Sequence, residues 1–446
     1  MNTGAAAQFV PRVGEAKPRR ELSVPSEHEA LQPLLVIPFS VGFYFSFRTI
    51  ITLIVVRLFL QEPRMGVGAS LTIEFLLLLI VAFQAVGPSI RPLGWLFHLS
   101  SFRWVLVFLA FAGCSLAWSR TVSLPASFLY WCGLVGDVTL VVLLLRVAPV
   151  EAVAHSLMKG FIWATCLLAL IAWMMPVGSD LRLGDPEYFN TNQIGNLCTF
   201  AIFQAQYLMC RKEWRSKSSI IFLIITLVRS LSKTTLVAFV ASEIYLIARD
   251  GTISRKAKMG IAGSALLVVL IFWGLFQSYY SVYTTTGNQA QTLTGRLAIW
   301  GYSLNAALER PWVGNGFDSM WKVFPPFGSD QFEARHAENE LLQQFFAYGI
   351  AGVVMLCGLY GSLLRSIRHL MPGPIKTIFI SILLFIFIRG FAEAEPFDLL
   401  LPLWAMTVIG SIVAASLSSE QSGGHLRSTD ANSEGMLLQL RRGSTL

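Results

Sequence analysis

A histidine and two glutamates lie close together just before a long apolar run, in the segment ARHAENELLQQFFAYG: His336, Glu338 and Glu340. A histidine with an ordinary pKa of about 6.5, placed beside carboxylates and arginines, is a common arrangement for general-base catalysis. The alternative is a solvated loop histidine, because neighbours in sequence need not be neighbours in space. We therefore treat His336 as a candidate base whose partners the fold must supply.

Arg296 is the second candidate, because it opens a predicted helix. Thr294 is a plausible N-cap, and Pro311 ends the helical pattern. Apolar side chains recur between them at helical spacing: Leu297, Ile299, Trp300, Leu304 and Leu308. A cation near a helix N-terminus is unfavourable by about 0.3–1 kcal/mol. The position of Arg296 therefore predicts an anionic partner.

Further cations lie in three other polar segments. They are Arg182 in GSDLRLGDPEYFNTNQIGN, Arg229 and Lys233 in RSLSK, and Arg389 in RGFAEAEPFD, which also contains Glu393 and Glu395. If these segments meet, their cations surround a site for a lipid-linked phosphate or diphosphate, since arginine binds phosphate oxygens through two parallel hydrogen bonds. The alternative is that arginines extend to lipid headgroups, which we predict for Arg48, Arg57 and Arg64.

Two other features have open interpretations. Gly314 and Gly316 flank Asn315 in a turn that either binds an anion through its backbone amides or is simply tight. Asp137 lies within an apolar segment, where ionisable groups are often functional, but Gly133 and Gly136 nearby also suit a close helix contact. No carboxylate pair of the DxD type occurs in the polar segments. The sequence therefore predicts neither a divalent metal nor a cofactor.

The composition indicates that this protein is embedded in a lipid bilayer. Hydrophobic residues make up 54% of the 446 residues and charged residues only 13%, about half the charge of a soluble domain. Apolar runs of about 16 to 25 residues recur from Leu34 to Leu417. Each run is about as long as a helix that crosses a bilayer. None of the six cysteines forms a CxxC pair, which argues against zinc and disulfides.

These runs predict an all-α, polytopic membrane protein with about twelve transmembrane helices. The predicted spans are 34–57, 70–87, 102–118, 126–145, 160–176, 193–209, 219–229, 234–248, 259–278, 341–364, 375–391 and 397–416. They form one membrane domain, 33–417, with a large periplasmic loop at 279–340. Residues 1–32 and 418–446 are predicted to be disordered cytoplasmic tails.

Charge placement sets the predicted topology. A net charge of +8 is compatible with nucleic-acid binding, but in a membrane protein the positions of Lys and Arg are more informative than their sum. The basic segments 211–217 and 249–258 should both be cytoplasmic, so the chain between them must form a hairpin of two short helices. Its apex, 229–233, then points outward. Under this topology His336 is the one histidine on the outer side.

Four motifs in this order resemble the superfamily of O-antigen ligases, Wzy-type polymerases and exopolysaccharide polymerases. They are RLGDPEYFNTNQIG, SLSKTTL, TGRLAIWGYSLNAALERPWVGNGF and HAENELLQQFFAYGIAG, which together span most of the chain from about 180 to 400. The resemblance implies metal-independent transfer of an oligosaccharide from a polyprenyl diphosphate carrier to an acceptor glycan, at the periplasmic face of the bacterial inner membrane. It also implies that arginines stabilise the leaving diphosphate.

The resemblance assigns roles to the candidate residues. Arg182 and Arg296 are the best candidates for binding the diphosphate, with Arg229 and Lys233 second. Members often have His-x-His-Asn where this chain has His336, Ala337, Glu338 and Asn339. The base is therefore either Glu338 or His336 oriented by Glu338, and both are chemically reasonable. Arg296, His336 and Glu338 are the predicted catalytic residues.

Three functions remain open at this point. The loop sequence looks most like exopolysaccharide polymerases, which extend one carrier-linked repeat unit with another. A ligase would instead attach the glycan to lipid A core, and a flippase or transporter is the alternative of another class. The predicted partners are the carrier-linked oligosaccharide, the acceptor glycan, membrane lipids and other polysaccharide export proteins. Transporters usually show repeated halves with broken helices, and this sequence has no evident internal repeat.

Overall fold

The computed structural model describes residues 27–59, 63–86, 91–176, 181–185, 188–249, 251, 254–274, 277–278, 280–281, 296–324 and 334–419. Within these ranges the chain consists of helices joined by turns, with one isolated antiparallel bridge between Asp185 and Phe189. The all-α prediction is confirmed for this part of the chain.

Fifteen helices with defined bounds lie within the described residues. They are α1 Glu27–Phe59, α2 Pro63–Ala85, α3 Gly94–His98, α4 Ser100–Ser115, α5 Leu124–Val147, α6 Val150–Met174, α7 Thr191–Cys210, α8 Lys217–Ser230, α9 Lys233–Arg249, α10 Arg255–Ile271, α11 Arg296–Glu309, α12 Met320–Val323, α13 Glu340–Arg368, α14 Pro374–Gly390 and α15 Leu403–Ser419.

Each of the twelve predicted apolar segments overlaps one of these helices. Among the described residues, five helical stretches are long and apolar enough to cross a membrane by length and composition. They are Leu35–Phe59, Met65–Ala85, Leu124–Val147, Val150–Met174 and Glu340–Arg368. The count of twelve crossings and the periplasmic placement of the large loop stay predictions. Residues 1–26 and 420–446 of the predicted tails lie outside the described residues.

The helix α1 packs most extensively against α6 and also against α2. Its closest approach to α6 is at two glycines. A Cβ on Gly42 would lie 1.9 Å from the carbonyl oxygen of Leu157, and one on Gly160 would lie 2.0 Å from that of Phe39. Small residues at such crossings let helices in a bilayer approach closely enough for dispersion contacts to hold them together. This crossing fixes one side of the bundle.

The predicted hairpin is present as α8 and α9, joined at a sharp turn. Leu231 has a φ of 58°, in the left-handed region, and ends α8. The two helices pack against different neighbours, α8 against α7 and α9 against α14. Ser230, Leu231 and Ser232 are buried. The apex is thus enclosed by protein, as irregular backbone within an apolar bundle must be.

A glycine breaks α13 in its third turn. Gly349 has φ 64° and ψ −153°, a conformation essentially restricted to glycine. The break leaves helix carbonyls available to the turn 314–316. The amide of Asn315 donates to the carbonyl of Phe346 at 3.0 Å, and that of Gly316 donates to Ala347 at 2.8 Å. The interpretation of this turn as an anion site is therefore wrong, because its amides bind the broken helix.

We expect Gly349→Ala to lower the thermal midpoint of the detergent-solubilised protein by several degrees. The added Cβ would lie 2.5 Å from the carbonyl oxygen of Pro311, and the backbone strain alone costs about 1–3 kcal/mol. Gly361→Ala, in the same helix, is the matched control, because no atom lies within 4 Å of its added Cβ. Equal midpoints for the two variants would contradict this account of the break.

Candidate active site

Arg296 is the centre of a cluster of charged side chains drawn from segments far apart in sequence. Its Nε donates to Glu338 Oε2 at 3.2 Å, and its Nη2 donates to Glu393 Oε1 at 2.7 Å. Its Nη1 lies 3.4 Å from Thr234 Oγ1, at the start of α9. The anionic partner predicted for Arg296 is therefore a pair of protein carboxylates. Three different segments hold one guanidinium in a fixed orientation.

Glu393 ties this cluster to the start of α7. Asn192 Nδ2 donates to Glu393 Oε1 at 2.6 Å, and Asn192 Oδ1 accepts from Ser232 Oγ at 2.8 Å. The local sequence fixes the position of Asn192, because Asn190 and Gln193 form a capping box that starts α7. The hairpin apex, the start of α7 and the turn after α14 thus meet through one amide.

His336 and Glu338 lie in the short loop before α13. The backbone amide of Glu338 donates to His336 Nδ1 at 3.4 Å, and Glu338 Oε1 lies 3.9 Å from the same nitrogen. Asn339 caps α13 by accepting from the amide of Leu342 at 2.9 Å and donates to the carbonyl of Phe391 at 3.0 Å. The loop is therefore fixed both to its own helix and to the turn that contains Glu393.

The backbone of Glu338 is itself strained. Its φ is 52°, in the left-handed region that non-glycine residues rarely adopt. Trp300 Nε1 donates to the carbonyl of Glu338 at 3.2 Å, which helps to hold this conformation. Strained backbone of this kind concentrates at functional sites, where the surrounding structure maintains it. The strain turns the Glu338 side chain toward Arg296.

Burial shifts the pKa values of the cluster in opposite directions for acids and bases. It lowers the pKa of His336, as do Arg389 and Arg296, while Glu393 and Glu395 act against it. Burial raises the pKa of Glu338, against the effect of Arg296, and raises the pKa of Glu393, which Glu338 raises further. A lowered pKa keeps the imidazole neutral at pH 7, the form that can accept a proton.

The predicted phosphate-binding cations also come together here. Burial, together with the nearby charges of Arg182 and Arg296, lowers the pKa of Lys233 to about 8. Arg229 donates to the carbonyl of Leu181 at 2.8 Å, and Leu181 has a φ of 62°. Arg229 therefore helps to fix the position of the backbone next to Arg182. A lysine held close to two arginines in this way favours an anionic ligand.

Two arginines predicted to extend to lipid headgroups pair with carboxylates instead. Arg48 on α1 bonds to Asp137 on α5, and Arg57 Nη2 donates to Asp185 Oδ2 at 2.9 Å. The headgroup interpretation is wrong for both, because each tertiary contact supplies a nearer anion. The side chain of Arg64 lies outside the described residues. Asp137 is thus the buried partner of a half-buried arginine, in addition to lying beside a close helix contact.

The sequence places Glu393 in an acidic turn but does not indicate that it binds Arg296. It gives no indication of a role for Asn192. The alternation of Arg389, Glu393 and Glu395 was the available signal for the first. Nothing in the local sequence distinguishes Asn192 from an ordinary residue of a helix start. In the described part of the chain, no group of three or more His, Cys, Asp or Glu side chains is placed to hold a metal ion.

The fold and the site define an integral membrane protein that places a charged cluster of arginine, carboxylates and histidine between its helices. The O-antigen ligase family model matches residues 218–357. This match confirms the resemblance to the superfamily of O-antigen ligases and Wzy-type polymerases, over the segment that contains Arg229, Lys233, Arg296, His336 and Glu338. A comparison with curated proteins gives no significant match.

Proposed function

We propose that this protein polymerises polyprenyl-diphosphate-linked oligosaccharide repeat units into exopolysaccharide or O-antigen, at the periplasmic face of the bacterial inner membrane. The observation that carries the proposal is the convergence of Arg296, Glu338, Glu393 and His336 beside Lys233, within the segment of family resemblance. Both termini are cytoplasmic in this proposal, and other export proteins are its candidate partners.

An apolar groove next to the cluster suits the lipid part of the carrier. It has a volume of about 470 Å³ and runs between α11 and α13. Its lining includes Trp300, Leu304, Leu342 and Phe345, together with Asn339, the neighbour of Glu338. A polyprenyl chain in this groove would bring its diphosphate to the cations of the site. The groove therefore supports a lipid-linked donor.

The proposed reaction is a displacement at the anomeric carbon of the donor sugar. A hydroxyl oxygen of the acceptor bonds to that carbon, the bond to the diphosphate oxygen breaks, and its electron pair leaves with the diphosphate. Arg296, Arg182 and Lys233 stabilise the growing negative charge, a contribution of about 3–4 kcal/mol for one well-placed donor in comparable sites. In this proposal cations of the protein, and no divalent metal, fulfil that role.

We assign the base to His336 and a positioning role to Glu338. Glu338 is engaged by Arg296 through Nε at 3.2 Å, so its carboxylate orients the guanidinium. His336 is partly buried, has a lowered pKa and lies within 3.9 Å of Glu338. The proton of the acceptor hydroxyl therefore passes to the imidazole, while Glu338 and Glu393 hold Arg296 toward the diphosphate.

The pH dependence of kcat/KM follows from two of these groups. Activity should fall with acidification as His336 becomes protonated, at a pH below its ordinary value of about 6.5 because its pKa is lowered. Activity should also fall above about pH 8 as Lys233 loses its charge. Initial rates of the protein in nanodiscs, measured from about pH 5 to 9, test both limbs.

Lys233→Arg is the variant that assigns the alkaline limb. Arginine stays charged throughout this range, so the limb should shift out of it while the acid limb stays. An alkaline limb unchanged in Lys233→Arg would show that Lys233 does not cause it. The thermal midpoint, measured across the same pH range, separates titration from unfolding.

The glycan of a deletion strain tests the function itself. Loss of a polymerase should leave single repeat units, on the carrier or exported, with no longer chains. Long chains retained on the carrier would indicate a ligase instead. Purified protein that moves a glycolipid across vesicles but transfers no glycan would indicate a flippase and overturn the proposal. Complementation with the unmodified gene is the control.

A further inference from the structure

A cavity inside the helix bundle lies next to the candidate active site and takes no part in the chemistry proposed above. It is lined by parts of α1, α2, α5, α6 and α7 and by residues between 395 and 405, with a volume of about 320 Å³. Sites for small molecules typically begin at about 300 Å³. Its size is therefore sufficient for a small organic group.

Three oxygen atoms in the lining of this cavity are buried and accept no hydrogen bond from any described protein group. They are Asp137 Oδ1, Asn196 Oδ1 and Gln204 Oε1. Asp137 and Gln204 are only 2% and 8% exposed. Leaving a buried acceptor unsatisfied costs about 1–3 kcal/mol, so the cavity suits a ligand that brings several hydroxyl donors.

The rest of the lining has the chemistry of a sugar site. Tyr130 and Phe397 stack with ring centroids 4.4 Å apart, and Phe45 and Trp404 do the same at 4.4 Å. Phe45 and Trp404 are buried, so the partly exposed Tyr130 and Phe397 are the rings that offer apolar surface to the CH groups of a sugar ring. Four carboxyl side chains are among the described lining residues: Glu74, Asp137, Glu395 and Asp398. Arg48 is the one guanidinium among them. The excess of carboxyl groups over guanidinium groups in the lining disfavours an anionic ligand.

Two residues of the cavity lining lie close in sequence to residues of the active-site cluster. Gln193 lines it and directly follows Asn192, which binds Glu393. Glu395 also lines it, two residues after Glu393 and 3.8 Å from Arg389 Nη2. Glu395 is also close enough to His336 to act on its pKa, so a ring bound in the cavity can belong to a glycan that reaches His336.

We propose that this cavity binds a neutral sugar residue of the acceptor glycan. The cations and the apolar groove suit the diphosphate and lipid of the donor, whereas this cavity offers hydroxyl acceptors and aromatic faces. The assignment to the acceptor rests on the proposed glycan transfer. The binding of a neutral sugar does not, because it follows from the lining alone.

Saturation-transfer difference NMR on the purified full-length protein tests the binding. The probes are glucose, galactose, mannose, rhamnose and N-acetylglucosamine, with glucuronic acid as the anionic comparison. At least one neutral sugar should bind saturably, and Gln204→Leu should weaken it at least about tenfold. Gln206→Leu is the matched control, because Gln206 lies on the same helix, also has a buried unpaired oxygen and does not line the cavity.

Gln206→Leu perturbs the helix at least as much as Gln204→Leu, because it also removes the hydrogen bond that Gln206 Nε2 donates to Glu243 at 2.8 Å. If Gln204→Leu does not fold, Asn196→Ala decides the test in its place. Failure of every neutral sugar to bind, equal binding by the cavity variants, or glucuronic acid binding as well as the neutral sugars would each overturn the proposal.

A transfer assay separates this proposal from the proposed function. Gln204→Leu should raise KM for the acceptor and leave KM for the carrier-linked donor unchanged, and the reverse pattern would overturn the acceptor assignment. Sugar binding without any glycan transfer would overturn the proposed function alone. Glycan transfer without sugar binding in the cavity would overturn the subsite alone.

Discussion

Arg296→Ala is expected to reduce polymer formation by at least about 100-fold, because it removes the cation that faces the leaving diphosphate. The substitution also leaves Glu338 and Glu393, which lie 3.2 Å and 2.7 Å from the guanidinium, without their shared partner. Uncompensated buried carboxylates destabilise a protein, so the thermal midpoint of this variant should fall as well.

Arg296→Lys separates the catalytic effect from the structural one. Lysine retains the positive charge near both carboxylates but lacks the planar fork that contacts them and a phosphate simultaneously. We expect this variant to fold normally and still lose most of its activity. Arg310→Ala, just beyond the end of the same helix, is the matched control. A well-folded Arg296→Lys variant with full activity would contradict the role assigned to the guanidinium.

His336→Gln is expected to lower the rate by about 100-fold or more, the usual contribution of a general base. Because the imidazole titrates below its ordinary value, the acid limb of the pH profile should disappear with it. Both effects are read from initial rates with carrier-linked substrate in nanodiscs, at substrate concentrations below KM, where the rate reports kcat/KM.

Glu338→Gln distinguishes the two candidate bases. If Glu338 orients Arg296, its amide variant should retain the acid limb of the wild type and lose less activity than His336→Gln. The opposite result, with the acid limb lost in Glu338→Gln and kept in His336→Gln, would assign the base to Glu338. His369→Gln, in a turn at the end of α13, is the control for replacing a histidine by glutamine.

The helices were predictable because their physical cause is local. An apolar run of bilayer length must satisfy its backbone hydrogen bonds internally, so each predicted span corresponds to a helix in the structure. The predicted helix after Thr294 is present as Arg296–Glu309, and the hairpin of α8 and α9 was predictable from the two basic segments around it. Element boundaries were less accurate. The final span was predicted from 397 but α15 begins at Leu403, after Pro402.

The contacts of the arginines could not be predicted, because they depend on which helices are neighbours. Arg48 and Asp137 lie on different helices, and nothing in either local sequence indicates that the two helices are adjacent. The turn 314–316 is a similar case. Its amides are not available to an anion, because they already donate to helix carbonyls. Those carbonyls are left without helical partners where Gly349, more than thirty residues later, breaks α13.

The sequence by itself determined that this chain is a helical membrane protein, that His336, Glu338 and Arg296 are its candidate reactive residues, and that Arg296 requires an anion. Those conclusions follow from composition, periodicity and the energetics of a cation at a helix start, all of which are local. Only the tertiary structure decided that the anion is Glu338 together with Glu393, that Asn192 connects them to the hairpin apex, and that a cavity with unpaired acceptors lies alongside. These contacts join residues separated by about 40 to 200 positions, and packing alone brings such residues together.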